Sequence, residues 1–208
     1  MNAALYTGWA FPPDALLPLA REAGLTPAEP AEAELWIGWS LGGLRALRDA
    51  ADRVAAPRGL VLVASGARFC AAGDGWPGMP EANLRAFRRQ LARDPMAALM
   101  GFHRLVASNS LAPAEVDARW RQSLRLASPT GLDELAALDL RAAASRLRVP
   151  VLVLHGARDR VFPPAVARAT ASLLQRPTLH IHEWAGHDLP LMETGWCARH
   201  IQAWISTW

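Results

Sequence analysis

The sequence contains no lysine, so all 22 of its basic side chains are arginine. That bias belongs to composition rather than function, and the formal charge of +3 is too small to mark a nucleic-acid binder. Cysteine is nearly as scarce. Cys70 and Cys197 stand far apart with no Cys-x-x-Cys spacing, and are expected to be ordinary thiols of a reducing compartment. No apolar run approaches the roughly 20 residues that a membrane-spanning helix needs. The opening "MNAALYTGW" has neither a basic start nor a small-residue cleavage pattern, so no signal peptide is expected. Internal repeats, low-complexity tracts and clusters of metal-ligating side chains are also lacking. These absences lead to the expectation of a cytoplasmic protein, monomer or homodimer, with no metal, organic cofactor, nucleic acid or membrane as partner.

What is present is a globular pattern. With 208 residues, 51% of them hydrophobic, the chain can bury a full core as one domain with a subdomain inserted. Five short runs rich in Val, Leu and Ile, at about 3–7, 34–39, 59–64, 150–155 and 178–183, predict buried strands. Most are followed by helical patterning, which argues for a parallel sheet covered by helices. Helices are predicted near 12–23, directly after "GWSLGG", and at 190–206, where Trp196, His200, Ile201 and Trp204 are placed on one face. Residues 68–145 differ: they have several helical periods, no strand-like run and a Gly/Pro-dense opening, "AAGDGWPGMP". They are predicted to form a helical cap insertion, leaving 1–67 and 146–208 as the core. The Pro-rich "LTPAEPAEAE" is expected to be a surface connection.

Gly38-Trp39-Ser40-Leu41-Gly42 has the G-x-S-x-G spacing of a nucleophile elbow, with a strand before it and a helix after. A serine forced into a strained turn needs small neighbours, because larger ones would strike the helix that follows. The helix aims its N-terminus at the same point, where the amide of Leu41 can meet a developing negative charge. A serine hydroxyl is a poor nucleophile until an oriented base takes its proton. Asp159 follows the fourth predicted strand and His187 the fifth, so the chain order is Ser, acid, His. Other candidates fit less well. His180 and His182 alternate along a strand, His155 suits a structural hydrogen bond, Asp188 points elsewhere if His187 sits on a tight loop, and Asp74 lies in the insertion. A second oxyanion donor is expected from the loop after the first strand, Thr7-Gly8-Trp9-Ala10, with the Trp9 amide as donor and its indole lining the pocket.

With these residues in place, the chain resembles an α/β-hydrolase. Within that superfamily it resembles the pimeloyl-[acyl-carrier protein] methyl ester esterases of biotin synthesis. The likeness rests on "GWSLGGL", "LVASGARFCAAGDGWPGM", "NLRAFRRQLARD", "RVPVLVLHGARDRVFPP" and "AGHDLPLMET". It implies a serine carboxylesterase with Ser40, Asp159 and His187 as triad and Trp9 and Leu41 at the oxyanion. It also implies that Phe102, His103, Arg104, Leu105 and Val106 line the acyl channel. Compared with the family's eight-stranded sheet, strands 1, 2 and 4 are missing. The expected fold is therefore a trimmed α/β sheet of about five mainly parallel strands, in the order 3-5-6-7-8. Its first strand becomes a new edge that needs covering. "TGWA" stands where the family has a His-Gly-x-Gly start.

The implied partner is an acyl carrier protein. On a helix, Leu84, Phe87 and Leu91 share one face while Arg85, Arg89 and Arg93 line up on the other. Arg104, Arg119, Arg121 and Arg125 add positive charge to the same insertion. An acidic carrier would be steered to such a surface; a solvated arginine face would look the same in sequence. Two alternatives stay open: an esterase or thioesterase of short-chain substrates, and a catalytically inactive hydrolase fold serving as a binding module.

Overall fold

The computed structural model describes residues 1–52, 56–107 and 123–208. The predicted strands appear as β1 (Asn2–Tyr6), β3 (Leu35–Trp39), β4 (Gly59–Val63), β5 (Val151–Gly156) and β6 (Pro177–His182). A sixth, β2 (Thr26–Pro27), joins them. All pair in parallel in one sheet, ordered β2-β1-β3-β4-β5-β6. Every residue of β3, β4 and β5 is buried, as their near-continuous apolar sequences require of strands covered on both faces. Alternate side chains go to opposite cores. Leu60 and Leu62 face one side with Leu44, Leu47 and Val166, while Val61 and Val63 face the other with Leu19 and Ile201.

Helices α1 (Leu17–Glu22), preceded by a tight 3₁₀ turn over Pro13–Leu16, and α2 (Leu41–Asp52) lie among the first strands. Between β4 and β5 come α3 (Glu81–Arg93), α4 (Pro95–Ala107), α5 (Pro129–Ala137) and α6 (Arg141–Arg146). Helix α7 (Pro164–Leu173) precedes β6, and α8 (Leu189–Met192) and α9 (Thr194–Ile205) follow it. None of the described helices is long and apolar enough to cross a membrane.

Three expectations need correction. The Pro-rich connection is not wholly irregular, because Thr26–Pro27 pairs in parallel beside β1. The Thr26 amide donates to the Met1 carbonyl at 3.1 Å and the Ala28 amide to the Ala3 carbonyl at 2.9 Å. The first strand is therefore no bare edge. A two-residue strand ending in proline, which has no amide proton to offer, makes a poor template for further pairing. The single C-terminal helix is two, broken at Glu193, whose φ of −114° and ψ of 40° leave the helical region. The buried face of α9 is Cys197, Ala198, Ile201 and Trp204. Trp196 and His200 sit beside it as a half-buried flank, with their rings against His182 and His180.

Candidate active site

Ser40 occupies the one-residue corner between β3 and α2 with φ of 58°, left-handed for a residue that has a Cβ. That conformation costs about 1–2 kcal/mol and persists only where its surroundings hold it. Here both backbone groups are held. Its amide donates to the Val63 carbonyl at 3.1 Å, and the Ser65 hydroxyl donates to its carbonyl at 2.7 Å. The helix can start so abruptly because α2 crosses close to the end of β1. A Cβ on Gly42 would lie 2.0 Å from the Tyr6 carbonyl oxygen, so only glycine fits there.

Two loops from the same end of the sheet complete the cluster. His187 Nε2 lies 2.9 Å from Ser40 Oγ, and His187 Nδ1 lies 2.8 Å from Asp159 Oδ2. Residues 40, 159 and 187 are 5%, 4% and 1% exposed, so little water competes for these bonds. The carboxylate fixes the imidazole with its proton on Nδ1, leaving Nε2 to accept from the serine hydroxyl. Asp159 is itself oriented, because its Oδ1 accepts the amides of Val161 and Phe162, both at 2.8 Å. The histidine loop is tied from behind by the Trp39 indole, which donates to the His187 carbonyl at 2.9 Å. Asp188, beside it in the chain, is also buried.

His155 is buried next to the acid. Its Nε2 donates to the Phe162 carbonyl at 2.9 Å, closing the turn that carries Asp159, and lies 3.4 Å from Asp159 Oδ2. Burial pushes the imidazole below its ordinary value, and this outweighs the nearby carboxylate, which acts the other way. The residue is therefore neutral, and the contact with Asp159 is not an ion pair. A group with a depressed imidazole pKa contributes nothing to pH dependence well above about pH 6.5, where both states are neutral. Below that the unfolded chain takes up a proton that the folded chain refuses, and stability falls. His155→Gln is expected to flatten the decline of the urea midpoint between about pH 6.5 and 5. An unaltered slope would assign it to other groups, of which half-buried His200, also held down by burial, is one.

The loop after β1 runs beside the serine: a Cβ on Gly8 would lie 3.3 Å from the Ser40 Cβ. The Phe11 amide donates to the Gly8 carbonyl at 3.3 Å, closing a turn with Ala10 at φ of 62°. The Trp9 indole nitrogen donates to the Ser128 carbonyl at 2.8 Å, and its ring meets Phe102 edge-on at 5.2 Å and Phe87 at 5.6 Å. Trp9 and Ser40 thus share the wall of a mainly apolar cavity of about 640 Å³.

Of the channel residues expected from α4, Phe102 and Leu105 line this cavity. The other three do not. His103 turns inward to bond Ser123, Val106 is buried in the core, and Arg104 is exposed on the outer face. One helix can aim only part of its circumference at a pocket, so five consecutive residues cannot all line it. Sequence reasoning missed Asn83 and Gln90, which share the inward face of α3 with Phe87, and Arg160 beside the acid. The 83-87-90 helical spacing was a usable signal for the first two. Of the arginines, Arg85 pairs with Glu81 at 3.2 Å and Arg88 pairs with Asp133. Arg89, Arg93 and Arg125 are exposed, while Arg119 and Arg121 lie outside the described residues.

Several known proteins are similar to this chain. Among curated proteins, the chain is 41% identical over 140 residues to the pimeloyl-[acyl-carrier protein] methyl ester esterase of Sodalis glossinidius, covering 64% of this chain and 54% of that protein. It is 36% identical over 171 residues to the protein of the same name from Aliivibrio salmonicida, covering 77% and 64%. The chain therefore spans less than two thirds of the length of these relatives. Among solved structures, an esterase from Exiguobacterium antarcticum superposes with a TM-score of 0.87 over 99% of this chain and 92% of that one, at 17% identity. An enol-lactonase from Burkholderia xenovorans LB400 gives a TM-score of 0.77 over 99% and 91%, at 13% identity. At such identities the likeness is one of fold. Residues 6–199, a stretch that carries all three clustered side chains, match the model of the alpha/beta hydrolase family, and the chain belongs to that family.

Proposed function

We propose that this chain is a serine carboxylesterase that removes the methyl ester from a pimeloyl chain carried by an acyl carrier protein, in biotin synthesis. The observation that carries the reading is the unbroken hydroxyl–imidazole–carboxylate chain of 2.9 Å and 2.8 Å opening on an apolar cavity. The curated relatives' names supply the substrate class. His187 takes the proton of Ser40 as Oγ bonds to the ester carbonyl carbon. The oxyanion is received by the amides of Leu41 and Trp9. His187 then gives its proton to the departing methoxide, which leaves as methanol. A water deprotonated by the same imidazole attacks the acyl-serine and frees the carboxylate. Asp159 keeps the imidazole oriented and stabilises its charged form.

The described helices of the insertion, α3 to α6, act as a cap, with Trp9, Phe87 and Phe102 gripping the acyl chain beneath it. The cap's outer arginines are the docking surface. Among the described residues Arg89, Arg93 and Arg125 have no acidic partner, so their charge is available to an acidic carrier in the cytoplasm. Raising salt from 50 to 500 mM is expected to lower kcat/KM about tenfold for the carrier-linked ester and less than twofold for a small soluble methyl ester. Steady-state rates on the two substrates side by side test this. Equal salt sensitivity, or equal turnover of both, would replace the carrier reading with that of a short-chain esterase.

A further inference from the structure

Among the described residues three non-glycine positions have a left-handed φ: Ala10 at 62°, Ser40 at 58° and Ala64 at 46°. Such outliers persist where neighbouring groups hold them. For Ser40 the holding bonds are those from Ser65 and to Val63. Ala64 is fixed by its amide, which donates to the Leu154 carbonyl at 2.8 Å. Ala10 is held differently, because its tie comes from the insertion rather than from the sheet. The hydroxyl of Ser123 donates to the Ala10 carbonyl at 2.7 Å and accepts from His103 Nε2 at 2.8 Å. Ser123 and His103 are both buried, 2% and 3% exposed. The chain of bonds therefore runs from α4 through one serine to the turn that bears Trp9.

Packing alone does not secure that turn. A cavity of about 250 Å³ opens behind it, with Phe11, Pro12 and Ser123 in its wall, so side-chain contact is incomplete on this side. Beside the turn's own Phe11-to-Gly8 bond, a second fastening comes from the insertion, through the Trp9 indole bond to the Ser128 carbonyl. Residues 123 and 128 thus clamp the two ends of the Trp9–Ala10 unit.

We propose that Ser123, oriented by His103, is a positioning residue for ester hydrolysis: by holding the Ala10 carbonyl it fixes the turn that points the Trp9 amide at the oxyanion. This rests on the serine-esterase reading above. It also explains how "TGWA" serves without a His-Gly start, since the loop's own turn bond is reinforced from outside. An oxyanion donor acts only when it is already in place as charge develops, so a loosened turn should slow chemistry without weakening substrate binding.

The test uses the full chain, with p-nitrophenyl acetate as a substrate too short to depend on a carrier, and a small alkylboronic acid as tetrahedral mimic. Ser123→Ala is expected to lower kcat about tenfold or more with KM within twofold, and to weaken boronate binding in parallel. Adding Ala10→Gly to that variant should restore most of the loss, because glycine takes a φ near 62° unassisted. Ser123→Cys, which keeps the volume and loses the strong donor, should behave as Ser123→Ala and decides the matter if the alanine variant does not fold. A kcat within twofold of wild type, or a lowered kcat with boronate affinity unchanged, would overturn the proposal while leaving the esterase reading intact. A wild-type chain that hydrolyses no ester would overturn both.

Discussion

Ser40→Ala is expected to lower ester hydrolysis by about five to six orders of magnitude and to leave the fold unchanged. The hydroxyl is the bond-forming atom of the proposed reaction, and among the described residues it is the side-chain group bonded to His187 Nε2, at 2.9 Å. The strained backbone at this position is held by the Val63 carbonyl and the Ser65 hydroxyl, both acting on main-chain atoms that alanine keeps. The substitution therefore removes a nucleophile without removing a structural bond other than the one to the imidazole. Rates on a soluble methyl ester, with thermal melting as a control for folding, measure it. A residual rate within tenfold of wild type would mean that the ester is cleaved elsewhere, or by water without a serine. Reaction with a fluorophosphonate gives the same answer independently, since only the wild-type chain should be labelled at residue 40.

Asp159→Asn is expected to cost about 10⁴-fold in kcat with little change in KM. The reason lies in which atoms the carboxylate already serves. One oxygen accepts two backbone amides, from Val161 and Phe162, and so must stay an acceptor. An asparagine must then place its carbonyl there and turn its NH₂ toward His187 Nδ1. A donor facing Nδ1 forces the imidazole proton onto Nε2, the nitrogen that has to accept from Ser40. The same NH₂ would confront the Nε2–H of buried, neutral His155, 3.4 Å from the Oδ2 position. Geometry survives while the tautomer is wrong. Steady-state kinetics on the same soluble ester decide it, and a loss of less than tenfold would remove Asp159 from the relay.

Much of this was readable in the sequence, for local reasons. The strands were placed within a residue of their observed ends, because runs such as "VLVLHG" and "GLVLV" are buried on both faces and admit almost no polar residue. The corner at Ser40 was readable because close approach of α2 to β1 leaves a glycine signature at fixed spacing. Where reading failed, the deciding contact lay far along the chain. β2 has two residues and no hydrophobic pattern; it is a strand only because β1 offers it carbonyls. The break at Glu193 is equally invisible to a period count.

The three clustered side chains and their chain order were legible in the sequence alone: a serine at a glycine-flanked corner, then an acid, then a histidine, each after a strand. Parallel strands bring such loops to one end of a sheet whatever the details of packing. Tertiary structure decided which flanking residues serve the site. His103 turned inward to Ser123, Arg160 came to the cavity wall, and the Ala10 turn was fastened by a residue 113 positions away. A helix's period says which residues share a face, but only what packs against that face says where it points.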